Sequence, residues 1–335
     1  MSHISNSNTN INKKYPQKNK PQQKDKTYPL SKDIKDFLLS EFSKPLFHFI
    51  IQHDYLKISN KLIGLGATSE VYQGTYKGCD VSIKKIKIKE INDNSYKAYI
   101  NEISVLTSIN HRNIVTLLGT MVEENQLCIV TEYCQGGTLY DLLNKKKNIE
   151  IPWNLKLKFL IEISEAMNFL HKNEPQIIHR DLKSLNILLT HQLLEKNSND
   201  HVSIKLCDFG LSQIVSKENK NFNLNGVGSV QWMAPELIQN NNSDNITEKV
   251  DVYSFGIIIW EIYARAQPYK GMSVSQIINY VCNEKGRPNC DLIDKDEIPK
   301  GLFELMKKCW DKNPTSRPDF EEILEILNDI QSLGE

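Results

Sequence analysis

The stretch His179-Arg180-Asp181-Leu182-Lys183-Ser184-Leu185-Asn186, followed downstream by Asp208-Phe209-Gly210, decides how this chain reads. In order it supplies a carboxylate, a cation, an amide oxygen and a second carboxylate. Asp208 follows the apolar run Val202-Ser203-Ile204-Lys205-Leu206-Cys207, and a carboxylate at the end of a strand suits a hard, oxygen-seeking Mg2+. Phosphoryl transfer asks the protein for positioning and neutralisation of oxygen charge more than for covalent chemistry. These side chains are equipment for moving a phosphoryl group from a magnesium nucleotide.

Upstream, Ile63-Gly64-Leu65-Gly66-Ala67-Thr68-Ser69-Glu70-Val71 lies between two expected strands. Its glycines allow backbone amides to approach phosphates, although an ordinary hairpin has the same composition. Val81-Ser82-Ile83-Lys84 alternates like a strand and directs Lys84 to one face. Lys84 reads either as a phosphate contact or as one more solvated lysine beside Lys85, Lys87 and Lys89. Glu102 follows in an expected helix, with Ile103 and Leu106 forming an apolar stripe.

Taken together these strings resemble the eukaryotic protein kinases, over about residues 56–330. HRDLKSLNIL, CDFGLS and GSVQWMAPE together look most like the tyrosine-kinase-like group, which includes Raf-like and mixed-lineage kinases. The resemblance implies an α+β, bilobal fold: a small, mostly antiparallel β-sheet lobe with one main helix, and a larger, mainly helical lobe. It implies a protein kinase that takes ATP with Mg2+, or Mn2+ in its place, and phosphorylates Ser or Thr of protein substrates. Asp181 then corresponds to the base that orients the acceptor hydroxyl, and Lys183 to the cation that steadies the transferred phosphate. A lysine at that place is typical of Ser/Thr kinases. Asn186 and Asp208 correspond to the metal ligands, Lys84 to the lysine on the α and β phosphates, and Glu102 to its partner. The loop Ile63 to Val71 would cover the nucleotide, with Ser69 standing where the family has its third glycine and Ser82 where it has alanine.

By the same resemblance, Thr131 is the gatekeeper, and the backbone of Glu132 and Cys134 binds adenine. Cys134 is either a reactive thiol or a packing residue, and Asp141 serves ribose or the start of a helix. Asp251 corresponds to the buried anchor of the catalytic loop, and Arg317 to the partner of Glu236. Residues 208–236 contain no Thr or Tyr, so a regulatory phosphate would fall on Ser212, Ser216 or Ser229; Ser216 with Arg180 as charge partner is the expectation. A pseudokinase scaffold and a dual-specificity kinase are the alternatives.

Forty-one basic and 41 acidic side chains cancel, which argues against nucleic acid or an anionic membrane as main partner. Seven Cys without CxxC or zinc spacing suit reduced thiols, hence the cytoplasm or nucleus. The polar first ten residues do not resemble a signal peptide, and no apolar run reaches the roughly 20 residues that span a bilayer.

Residues 1–30, rich in Asn, Lys, Gln and Pro, read as a disordered tail, and 31–55 as a short amphipathic helix and lead-in. The kinase-like domain follows over 56–331, divided into lobes at 56–133 and 134–331, with 332–335 as a short tail. Helices are expected at about 95–109 and 155–171 and from about Arg317-Pro318-Asp319, with Pro318 in the first turn. Polar insertions at 194–201 and 239–247 read as solvated loops.

Overall fold

The computed structural model describes residues 49–66, 69–87, 93–123, 126–193, 201–215, 230–239 and 246–334. The 1–30 tail, most of the 31–55 lead-in, Ala67, Thr68, Ser216, Ser229 and most of both polar insertions lie outside them. Strands β1 (Leu56–Leu65), β2 (Ser69–Tyr76), β3 (Cys79–Ile86), β4 (Leu117–Glu123) and β5 (Gln126–Glu132) form an antiparallel sheet in the order β1-β2-β3-β5-β4. Helix α1 (Asp93–Ser108) is inserted between β3 and β4.

Alternation along β3 gives the sheet two unlike faces. Val81 and Ile83 are fully buried in a cluster with Ile51, Leu56, Met121, Cys128 and Val130. Ser82 and Lys84 face the other way, and Lys84 reaches Glu102 on α1. The described end of the lead-in packs on this sheet through a bridge and a 3-10 turn: Ile51 donates its N–H to Thr120 O at 2.8 Å, and His53–Tyr55 turn into β1. Gly119 permits this close approach, since a Cβ there would stand 2.5 Å from both Ile51 Cγ1 and the Phe49 carbonyl oxygen.

Beyond β6 (Gly137–Thr138) the chain turns helical. The helices are α2 (Leu139–Asn144), α3 (Trp153–Lys172), α4 (Pro235–Gln239), α5 (Lys249–Ala264), α6 (Val274–Cys282), α7 (Lys300–Cys309) and α8 (Phe320–Leu333). Short strands β7 (Ile177–Ile178), β8 (Ile187–Leu189), β9 (Ile204–Leu206) and β10 (Gln213–Ile214) carry the segments between α3 and α4. The bilobal α+β architecture expected from the sequence is the one observed.

Helix α5 is buried on every side from Val250 to Tyr263, as its largely apolar sequence requires. Gly256 lets α7 lie against it, because a Cβ there would meet Cys309 Cβ at 2.9 Å and Trp310 N at 3.1 Å. The last helix differs from expectation at its start. Pro318 precedes the N-cap rather than sitting in the first turn; Asp319 accepts from the Glu322 N–H, and the Glu322 side chain accepts from the Asp319 N–H. That reciprocal pair satisfies two otherwise unpaired donors and sets the boundary. All seven cysteines are free, and Cys128, Cys134, Cys282 and Cys309 are buried.

Candidate active site

An acid on a helix buried all round must find donors. Asp251, with no exposed surface, accepts from the backbone N–H of His179 at 2.8 Å and of Arg180 at 2.7 Å, and pairs with His171 Nε2 at 2.9 Å. Burial opposes its ionisation, but His171, His179 and these N–H groups outweigh that and hold the carboxyl below its ordinary range. The grip fixes Arg180 at φ +65°, a left-handed backbone that costs a non-glycine residue roughly 1 to 2 kcal/mol. The bend delivers Asp181 to the site.

Lys183 Nζ stands 2.6 Å from Asp181 Oδ2. Asn186 Nδ2 donates to the Asp181 carbonyl at 2.9 Å and to its Oδ2 at 3.0 Å. Asn186 Oδ1 accepts from no described residue, so an amide oxygen remains for a cation. Asp208, beyond β9, has φ +67° and a side chain about two-fifths exposed. Its Oδ1 accepts from Lys84 Nζ at 2.8 Å, and Lys84 Nζ also reaches Glu102 Oε2 at 2.6 Å. Burial would raise the Asp208 pKa, yet the charge and hydrogen bond of Lys84 outweigh it and bring the carboxyl down to about 2. The ammonium itself is held above its ordinary value, because Asp208 and Glu102 overcome its desolvation. For Glu102 burial is the larger influence and raises the pKa against the pull of Lys84.

Phe209 turns inward, fully buried, with its ring centroid 5.0 Å from that of His179, and shares the main core with Leu106. A link that the sequence did not reveal holds this turn to α1. Asn101, next to Glu102, donates through Nδ2 to Phe209 O at 2.9 Å and to Ser212 O at 2.8 Å. Adjacency to Glu102 is its only sequence signal.

At the glycine-rich segment, Gly66 N–H donates to Ser69 O at 2.8 Å, and Ser69 is buried. A Cβ on Gly66 would come 3.1 Å from Ser69 Oγ, so the hydroxyl packs close against the Gly66 backbone. Glu70 and Val71 pair with Leu65 and Gly64 across β1 and β2. Thr131 and Glu132 end β5. The Glu132 carboxylate accepts from Thr116 N–H at 2.8 Å and from Lys205 Nζ at 2.7 Å, tying the linker to β9. Burial and the nearby Glu132 push the Cys134 thiol up to about 12, so of its two readings the structure favours packing. Asp141 pairs at 2.7 Å with Lys145, the C-cap of its own helix, whose N-cap is Thr138, which favours the helix-start reading. Arg317 forms a two-pronged pair with Glu236, at 2.6 and 2.9 Å.

Glu261 on α5 also escaped the sequence reading. Burial pushes its carboxyl from 4.5 up to about 8, against two hydrogen bonds that lower it. The folded chain therefore keeps this proton until about pH 8, whereas an unfolded one releases it near 4.5. Between those limits the native state binds more protons, and stability falls by about 1.4 kcal/mol per pH unit as pH rises. Glu261→Gln cannot ionise and lacks this slope. Its melting temperature, compared with wild type by thermal shift, should gain several degrees between about pH 5 and pH 8.

The arrangement brings together two carboxylates, two lysines and an amide oxygen, with the charge of Lys183 felt at Asp208, a donor set of hard oxygens that fits a divalent cation and cations that fit phosphate. The family model of protein tyrosine and serine/threonine kinases matches residues 57–327. The chain belongs to the protein kinase family. Among curated proteins, this kinase is 40% identical over 281 residues to a probable serine/threonine-protein kinase of Dictyostelium discoideum, covering 84% of this chain and 28% of that protein. It is 37% identical over 272 residues to the probable serine/threonine-protein kinase drkB of the same organism, covering 81% and 36%. It is 34% identical over 275 residues to the serine/threonine-protein kinase STY17 of Arabidopsis thaliana, covering 82% and 44%. The kinase thus spans less than half the length of each of these relatives. Family membership carries a general requirement for ATP and a divalent metal. Among the described residues, no helix is long and apolar enough to cross a membrane.

Proposed function

We propose that this kinase transfers the γ-phosphoryl group of Mg-ATP to Ser or Thr hydroxyls of protein substrates, within the tyrosine-kinase-like group and inside the cell. The kinase domain of this reading is 56–331, its lobes meeting after Tyr133. The observation that carries it is the paired grouping of Asp181 with Lys183 and Asn186, and of Asp208 and Glu102 with Lys84.

In this reading Asp181 accepts the hydrogen bond of the acceptor hydroxyl and aims its oxygen. Lys183, already beside Asp181, offsets charge on the transferred group. Lys84 holds the α and β phosphates and is itself kept in place by Glu102. Asp208 and Asn186 hold Mg2+, which when bound neutralises charge on the phosphate oxygens. Residues 63–71 cover the nucleotide, and Glu132 and Cys134 offer backbone groups to adenine beside Thr131. Among the described residues the Cys134 N–H has no hydrogen-bond partner, as an adenine donor requires.

Lys183 and the names of the relatives support Ser/Thr as acceptors. A degenerate peptide array with radiolabelled ATP, followed by phosphoamino-acid analysis, tests the reading. Phosphoserine and phosphothreonine are the expected products. Phosphotyrosine in comparable amount would establish the dual-specificity alternative, and no incorporation by a folded wild-type protein would establish the scaffold.

A further inference from the structure

Strands β8 and β9 pair antiparallel as a hairpin whose two ends differ. At one end Asn186 precedes β8 and Asp208 follows β9, so that end belongs to the site already described. At the other, pairing continues one step past the strands: the Thr190 N–H donates to Ser203 O at 2.9 Å, and the Ser203 N–H donates to Thr190 Oγ1 at 3.0 Å. The linker between β5 and β6 braces the same end, its Gln135 N–H donating to Thr190 O at 3.1 Å and its Gly136 N–H to Leu189 O at 2.9 Å. On this frame His191 and His201 meet, one from each side of the hairpin. Their ring centroids are 5.3 Å apart and their planes inclined at 66°. Both residues are exposed.

We infer that His191 and His201 form a two-imidazole site for a transition-metal dication of the Zn2+ class, which closes the mouth of this hairpin. Bonds of about 2.0 to 2.1 Å from two imidazole nitrogens to one tetrahedral ion put the ring centroids roughly 5 Å apart, close to the separation already present. The tautomer is provided for as well. His191 Nδ1 lies 3.1 Å from Thr190 Oγ1, and a ring that donates there keeps its proton on Nδ1 and leaves the Nε2 lone pair for an ion. Among the described residues, neither His191 Nε2 nor either nitrogen of His201 has a hydrogen-bond partner. No third His, Cys, Asp or Glu joins the pair among those residues, so water completes the shell. Such an ion exchanges with solvent, unlike a structural zinc enclosed by four protein ligands. Mg2+, which seeks oxygen, is a poor match for two imidazoles.

Isothermal titration of the full chain with Zn2+, in excess Mg2+ to fill the hard-oxygen sites, tests this. The wild type is expected to show one Zn2+-binding event that His191→Ala and His201→Ala each weaken by about 10^2-fold, because a second ring on a fixed frame acts as an intramolecular partner. Melting gives a second readout. At free Zn2+ ten times its Kd the wild type should gain about 3 to 5 °C, and neither variant should move. In chelator all three should melt alike, since both rings are exposed; a variant that melts low there is replaced by His191→Gln or His201→Gln. Absence of the event in the wild type, its survival in either variant, or its loss to Mg2+ alone would overturn the inference.

Discussion

Asp208→Asn protein, purified and melting close to wild type, should phosphorylate peptide about 10^3-fold more slowly, the scale of removing a preorganised charge from a reacting phosphoryl group. The carboxyl of Asp208 is held down to about 2, so at every ordinary assay pH the wild type presents a full negative charge. Asparagine has the same size and keeps one oxygen but no charge, and a hard divalent ion discriminates strongly between the two. The fold should tolerate the change because Lys84 retains Glu102 at 2.6 Å. Asp208 is also partly exposed, so water can replace what it gave. Radiolabelled incorporation checks the rate and thermal melting checks the fold. A variant within ten-fold of wild type would remove Asp208 from the proposed metal-holding role.

The largest effect on stability is expected from Arg317→Ala. The Arg317 side chain has no exposed surface and holds five acceptors or faces at once: both Glu236 oxygens, the carbonyls of Asp311 and Lys249, and the ring of Tyr253 at 5.1 Å. Truncation leaves the Glu236 carboxylate, only 18% exposed, without its partner. Breaking a buried pair from one side costs about 3 to 5 kcal/mol. At roughly 2 to 4 °C per kcal/mol for a domain near this size, melting should fall by about 10 °C. Arg317→Lys should recover little, because a single ammonium cannot reproduce the planar fork. Differential scanning calorimetry decides it, and a shift below about 2 °C in Arg317→Ala would show that water or a neighbour takes over the pairing.

Much of the fold was legible because it is written in short-range pattern. The alternation of Val81, Ser82, Ile83 and Lys84 specified both the strand and its two faces, and the three-and-four spacing of Leu155, Phe159, Ile163, Met167 and Leu170 specified α3. The pairing of Lys84 with Glu102 was expected from the family resemblance, and the structure has it at 2.6 Å. Asn101 and Glu261 were not readable. Their partners lie 108 and 111, and 77 and 29 residues away in sequence, and only the packing of α1 and α5 brings them together. The left-handed backbone at Arg180 and Asp208 was hidden for a related reason, as neither residue type demands it, and at Arg180 the grip of Asp251 on the backbone comes from a distant helix. At Pro318 the signal was present but misassigned: the Asp319 and Glu322 capping pair outweighed the preference of proline for a first turn.

The close approach of α7 to α5 at Gly256, and the buried acids Asp251 and Glu261, leave α5 no freedom to change length. One residue added between Asp251 and Glu261 would rotate one grip relative to the other by about 100° and advance it by about 1.5 Å, so the two could no longer both keep their partners. A surface loop is different: doubling its length costs only about 0.6 kcal/mol. Growth of this molecule is therefore excluded from its central rod, which behaves as a ruler of fixed graduation.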